Sequence, residues 1–159
     1  MKGLMKNLAP VVDLLVNSLG SSADDLSKQF VTYSDYVREF RTIDLRVPRR
    51  TGKTAILLDK LTSAPSIMFM ASRHQLEQHR HLSRMCRIHA PSDLERPDWI
   101  SQAYYRSMTT AAPEVYEYML IDEPAFYTAP QRLGLTAFIE FLHARNALAE
   151  DFYVLKLGT

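Results

Sequence analysis

Cysteine is all but missing from this chain. Cys86 is the only one in 159 residues, so no internal disulfide can form, and the composition suits a reducing compartment such as the cytosol. Its natural role is that of a small buried hydrophobe. No apolar run reaches the length of a membrane-spanning helix, so no membrane role is expected. The first twenty residues carry two lysines ahead of an apolar stretch, the outline of an export signal, but Asp13, Asn7 and Asn17 are wrong for one. Leu4, Leu8, Val11, Leu15 and Leu19 recur there at helical spacing, which predicts an amphipathic helix packed on the core or on a partner. Internal repeats and low-complexity tracts are absent as well. Charge of one sign is not in excess: the net charge of +1 says nothing about nucleic acid. With 47% hydrophobic and 23% charged residues, disorder is excluded and one folded domain with one core is expected. A zinc site is not indicated either. His74, His79, His81 and His89 lack the cysteines, or the i,i+4 His pair with glutamate, that such a site needs, and they read as surface histidines.

What is present begins at Arg46 to Thr54, RVPRRTGKT. A loop between a buried strand and a helix presents backbone N–H groups to an anion at the helix N-terminus, where unsatisfied donors and the helix dipole favour negative charge. Gly52 allows the backbone to approach phosphates closely. In the pattern G-x-x-x-x-G-K-[ST] the lysine reaches the β and γ phosphates and the hydroxyl binds Mg²⁺, which assigns those roles to Lys53 and Thr54, with Thr51 and Gly52 in the nucleotide-binding turn. The leading glycine is missing. Val47 stands in its place and Pro48 follows, so a stiffer loop is expected.

The second half of such a site is Tyr118 to Pro124, YMLIDEP. An apolar strand carries a carboxylate to the sheet's C-terminal edge, where Asp122 would hold the Mg²⁺ shell and Glu123 would orient and deprotonate the attacking water. Pro124 ends the strand. The two motifs in this order predict a protein that binds and hydrolyses ATP with Mg²⁺.

VPRRTGKT resembles the Walker A segment of viral large terminase subunits, the DNA-packaging motors of tailed phages and herpesviruses, in which an arginine precedes the GKT. The resemblance makes Arg49 a candidate catalytic charge stabiliser acting in cis on the γ-phosphate, with Arg50 beside it; the other reading is that both merely offset phosphate charge or face solvent. YMLIDEPAFY is similar to the terminase Walker B, and the terminal VLKLGT, Val154 to Thr159, to the following motif, whose hydroxyl residue would couple hydrolysis to DNA movement. Gln29 lies upstream of the loop, where terminases and helicases often use a glutamine to read adenine, though such a glutamine is more commonly an ordinary polar helix position. The likeness runs from about Ile43 to Thr159. It implies a three-layer P-loop NTPase of the additional-strand, catalytic-glutamate class, with a mainly parallel central sheet flanked by helices. Terminases continue beyond this point, so the core reads as truncated after the motif that follows Walker B.

Charge is uneven along the chain. Arg46 to Arg87 holds nine basic and two acidic residues, hence +7, which leaves −6 for the remainder. Such clustering is the footprint of phosphates, of nucleotide or of polynucleotide. Within it, Ser72 to about Arg84 predicts a polar helix with Arg73, Arg80 and Arg84 on one side, either a DNA contact or a solvated charged stripe.

The coarse organisation is residues 1–41 as N-terminal helices, the second at about Asp24 to Phe40 behind a Ser-Ser-Ala-Asp cap, followed by the core over 42–159. Strand Ile43 to Val47, helix Thr54 to Leu61 and the apolar run Ile67 to Ala71 imply a right-handed strand-helix-strand crossover with parallel pairing. Residues 90–115 read as a loop-rich excursion with a short helix around Trp99 to Ser107. There Trp99, Tyr104 and Tyr105 suit base stacking or, more commonly, core packing. Helix Gln131 to Ala149, with Leu135, Phe138, Phe141 and Leu142 inward, precedes a last strand, Phe152 to Leu157. The reading that fits best is a viral ATPase module working on DNA within a packaging or remodelling motor or a homo-oligomer, in the host cytoplasm. The alternatives are a small nucleotide or nucleoside kinase and a non-catalytic regulator of a larger motor. Arg106 and Arg132 are candidate trans-acting arginines.

Overall fold

The computed structural model describes residues 2–20, 28–79, 81, 88–96, 98 and 115–159. Five parallel strands form one sheet in the order β1-β5-β4-β2-β3, where β1 is Thr42–Arg46, β2 Ser66–Phe69, β3 Ile88–His89, β4 Tyr116–Asp122 and β5 Leu148–Gly158. Among the described residues five helices accompany them: α1 Lys2–Ser18, α2 Tyr33–Phe40, α3 Lys53–Ser63, α4 Arg73–Gln78 and α5 Ala129–Ala144. Short 3-10 turns cover Pro91–Glu95 and Pro124–Phe126.

The inner strand segments, β2, Tyr118–Asp122 of β4 and Phe152–Leu155 of β5, are buried without alternation because both faces of the sheet are covered there, whereas the edge strand β1 alternates. In β4, Met119 and Ile121 join one core with α2 and α5, while Tyr118 and Leu120 join a second core with α1 and α3. Phe152 and Val154 of β5 follow the first group, and Tyr153, Leu155 and Leu157 the second. The result is the expected α/β architecture of helix, sheet and helix layers. Burying each such side chain contributes about 1.5–3 kcal/mol, and Phe69, Met119, Leu120 and Leu155 are all fully inaccessible. No described helix is long and apolar enough to cross a membrane.

Several boundaries differ from the sequence expectation. β1 and β2 run parallel in one sheet but are not paired with each other; β5 and β4 separate them. A crossover fixes direction and handedness, whereas adjacency depends on which later strands insert. In α1, Leu8 and Val12 are buried while Val11 is 45% exposed, because at ~100° per residue Val12 lies about 40° round the helix from Leu8 on the side of Leu19, and Val11 about 60° on the other side. The second helix begins at Tyr33, not Asp24: residues 28–32 are turn and bend, and Thr32 Oγ1 accepts the Asp35 N–H at 3.2 Å as an N-cap. The earlier part of that expected helix lies outside the described residues. The last helix ends at Ala144 and β5 begins at Leu148, so the 145–149 stretch leaves the helix; Asn146, at φ 54°, marks the turn. α4 ends at Gln78, with Arg80, Arg84, Cys86, Arg87, Trp99, Tyr104, Tyr105 and Arg106 outside the described residues. The strand β3 carries no sequence signal, since two residues show no period.

Candidate functional site

The residues Val47 to Gly52 form the turn between β1 and α3. Arg50 and Gly52 both take left-handed backbone, φ 62° and 81°. At Gly52 this is the N-cap of α3. Glycine reaches that conformation without steric cost, and here it also leaves the helix start without a side-chain cap. The contrast is informative: Thr32, Ser72 and Thr128 each cap the helix they precede with a side-chain oxygen. The first-turn N–H groups of α3 are therefore left for an exogenous acceptor.

Lys53 opens α3 and is only 8% exposed. Its Nζ stands 2.9 Å from Glu123 Oε1. Next to it, Thr54 Oγ1 donates to Asp122 Oδ2 at 2.8 Å. The two sequence segments thus converge side chain to side chain across the top of the sheet.

β5, lying between β1 and β4, ties them together. Gly158 O accepts the Val47 N–H at 2.8 Å, at the start of the loop, and Leu157 O accepts the Glu123 N–H at 2.9 Å. Thr159 then donates both its N–H, at 3.1 Å, and its Oγ1–H, at 2.9 Å, to Glu123 Oε2. Glycine at 158 suits the close approach: a Cβ there would lie 3.2 Å from Pro124 Cδ and 3.4 Å from Arg46 Nη1. Glu123 itself sits in the left-handed region at φ 53°, an uncommon conformation for a non-glycine residue and one that accumulates at functional sites. Behind it, Tyr127 Oη donates to Met70 O at 3.1 Å and Arg132 Nη1 donates to Tyr127 O at 2.7 Å, which anchors the chain leaving β4.

The two carboxyls are driven apart electrostatically. Burial pushes the Asp122 carboxyl above its ordinary range, against the Thr54 hydrogen bond, and neighbouring Glu123 adds to the rise. Glu123 is held below its ordinary range: burial works against this, but the Lys53 ion pair and the two Thr159 bonds outweigh it. Two buried polar atoms at this spot, Asp122 Oδ1 and Thr51 Oγ1, have no hydrogen-bond partner. Unpaired buried oxygens are costly and require an explanation such as an ion or ligand. A hydroxyl and one carboxylate beside an uncapped helix start are a donor set of the kind that holds Mg²⁺, by one or two carboxylates plus substrate oxygens.

Comparison with protein-family models, with curated proteins and with solved structures finds no match to this chain.

The remaining candidates fall outside the cluster. Arg49 and Arg50 are exposed and make no ion pair with a described residue, in keeping with either reading of them. Gln29 is exposed in the turn before α2, and its side chain makes no hydrogen bond to a described residue. Arg73 is held by Asp93 Oδ1 at 3.1 Å and Ser92 Oγ at 3.2 Å, so part of its role is to fasten α4 to the 3-10 turn. Among the described residues no three of His, Cys, Asp and Glu are grouped to hold a metal. His74 and His81 are exposed, and His79 and His89 are half-buried. Sequence reasoning gave too little weight to Gly158 and Tyr127. The available signal for Gly158 was a glycine just before the terminal hydroxyl; Tyr127 carried none, being one aromatic among many.

Proposed function

We propose that this chain is an ATP-binding and hydrolysing module of the terminase-like, additional-strand class, working on DNA within a larger motor. The observation that carries the reading is the 2.9 Å approach of Lys53 to Glu123 beside the Thr54–Asp122 hydrogen bond. A cation, two acids and a hydroxyl meet at an uncapped helix start. The interposed position of β5 supports the class, because it separates the loop strand from the acidic strand while touching both. The DNA assignment rests on the resemblance and on the +7 charge of the segment from Arg46 to Arg87.

In this reading the α3 N–H groups and Lys53 take the β and γ phosphates, and Thr54 with Asp122 would hold Mg²⁺, which would supply neutralisation of charge on the transferring phosphoryl group. Glu123 orients a water and accepts its proton as the water oxygen bonds to the γ-phosphorus and the bridging bond to the β-phosphate oxygen breaks, releasing ADP and phosphate; the Lys53 pair that holds its pKa down must be given up first, which returns the carboxylate its basicity. Lys53 must leave Glu123 to reach the phosphates, so nucleotide binding is what frees the base. Thr159 holds the same carboxylate and becomes the point where movement of β5 and hydrolysis are coupled.

The test is MgATP binding by calorimetry and phosphate release with and without DNA, on wild type and Lys53→Ala. Binding that the variant abolishes, with release stimulated by DNA, supports the proposal. Transfer of phosphate to a nucleoside would make it a kinase, and binding without turnover a regulator.

A further inference from the structure

On the opposite side of the sheet from α3, a cleft of about 460 Å³ opens between α2 and α5. Its floor is apolar, formed by Val37, Ile121, Leu135, Ile139 and Val154. Three cations line it, Arg38, Arg132 and Lys156, and no described acidic residue does.

The two arginines are engaged. Arg38 pairs with Asp35 at 3.0 Å, and Arg132 donates to the Tyr127 carbonyl. Lys156 is half-buried, and its ammonium makes no hydrogen bond or ion pair with a described residue. Asp44, its register partner on β1, lies 3.3 Å from Arg46 Nε instead. Burial pushes the Lys156 pKa down; Asp44 opposes that, while Arg46, Arg132 and Arg38 reinforce it. An ammonium in an apolar cleft with surplus positive charge around it has an unmet need for an anion.

Volume and lining fall in the range of small-molecule sites, which are concave, mostly apolar and carry a few convergent polar groups. A single point-charge donor suits a simple carboxylate, and the arginine forks beside it are each partly engaged, Arg38 by Asp35 and Arg132 by the Tyr127 carbonyl, which leaves Lys156 as the lining cation with no partner among the described residues. We propose that the cleft binds a small carboxylate on an apolar body, with Lys156 receiving the carboxylate and Val37, Ile139 and Val154 the hydrocarbon. The site is separate from the Lys53–Glu123 cluster and does not depend on the reading of that cluster.

The experiment is methyl-detected NMR of the full chain, titrated with sodium hexanoate and, separately, with hexan-1-ol. Saturable shifts at Ile139 and Val154 with hexanoate, and binding of the alcohol roughly tenfold weaker, are expected, since a bond to a charged group is worth about that factor. Lys156→Met should bring hexanoate down to the level of the alcohol. Thr136→Trp, at an exposed position on the cleft wall, should block both while leaving the fold intact. Equal binding of acid and alcohol, indifference to Lys156→Met, or shifts that never saturate would overturn the assignment.

Discussion

Replacing Glu123 by glutamine should separate binding from turnover. Lys53 and Glu123 are 8% and 14% exposed with 2.9 Å between charges. At an effective dielectric of about 20, unit charges so close attract by roughly 6 kcal/mol before desolvation and geometry are counted, and close pairs commonly retain only a few kcal/mol net. Under the proposed function this attraction competes with the phosphates for Lys53. Glu123→Gln keeps the shape and an acceptor for Thr159 but removes the charge, so Lys53 is released and the repulsion between Glu123 and a triphosphate disappears. Gaining about 1.4 kcal/mol corresponds to tenfold tighter MgATP binding. Loss of the proposed general base should cut phosphate release by roughly 10²- to 10⁴-fold. Calorimetry with MgATP and single-turnover phosphate release measure the two effects. Equal or weaker binding by the variant would refute the competition for Lys53, and turnover within tenfold of wild type would remove Glu123 from the role of base.

Asp122→Asn should raise the melting temperature by a few degrees and abolish magnesium-dependent nucleotide binding: the folded pKa of Asp122 is raised, so its charge costs stability above that pKa, and the neutral amide relieves a cost on the order of 1 kcal/mol. Glu123 behaves in the opposite sense. Its folded pKa lies below the unfolded one, so its contacts stabilise the fold above the ordinary carboxylate range and are lost as pH falls through the depressed value; carboxyl NMR titration should find that depression reduced in Thr159→Ala. Gly134→Ala should destabilise the fold by about 2–3 kcal/mol, since the new Cβ would lie 2.3 Å from Leu94 O; denaturant unfolding checks this, and a cost below roughly 0.5 kcal/mol would mean the Pro91–Glu95 turn yields freely.

The placement of the candidate site's residues on their elements was legible in the sequence because each half is local. Gly52, Lys53 and Thr54 lie within a single turn, and Asp122 and Glu123 end a single strand, so spacing alone placed each group on its element. The α/β class was legible for the same reason, from apolar runs too short and too continuous for helices. Boundaries were less so. The start of α2 at Tyr33 depends on the Thr32 cap, one of several polar residues able to serve, and the exit from the last helix depends on Asn146 adopting left-handed backbone. Val12 displaced Val11 from the core through a difference of one position around the helix.

What the sequence determined by itself, then, was the chemistry available: a lysine at a helix start, acids at a strand end and a hydroxyl at the end of β5. Only the tertiary structure decided that β5 inserts between β1 and β4, that Thr159 grips Glu123, and that Lys156 lines an apolar cleft with no ion-pair partner among the described residues. Those outcomes rest on which strands lie side by side and on the dielectric around each charge. Both are set by packing between residues remote in sequence, and no local pattern along the chain carries that information.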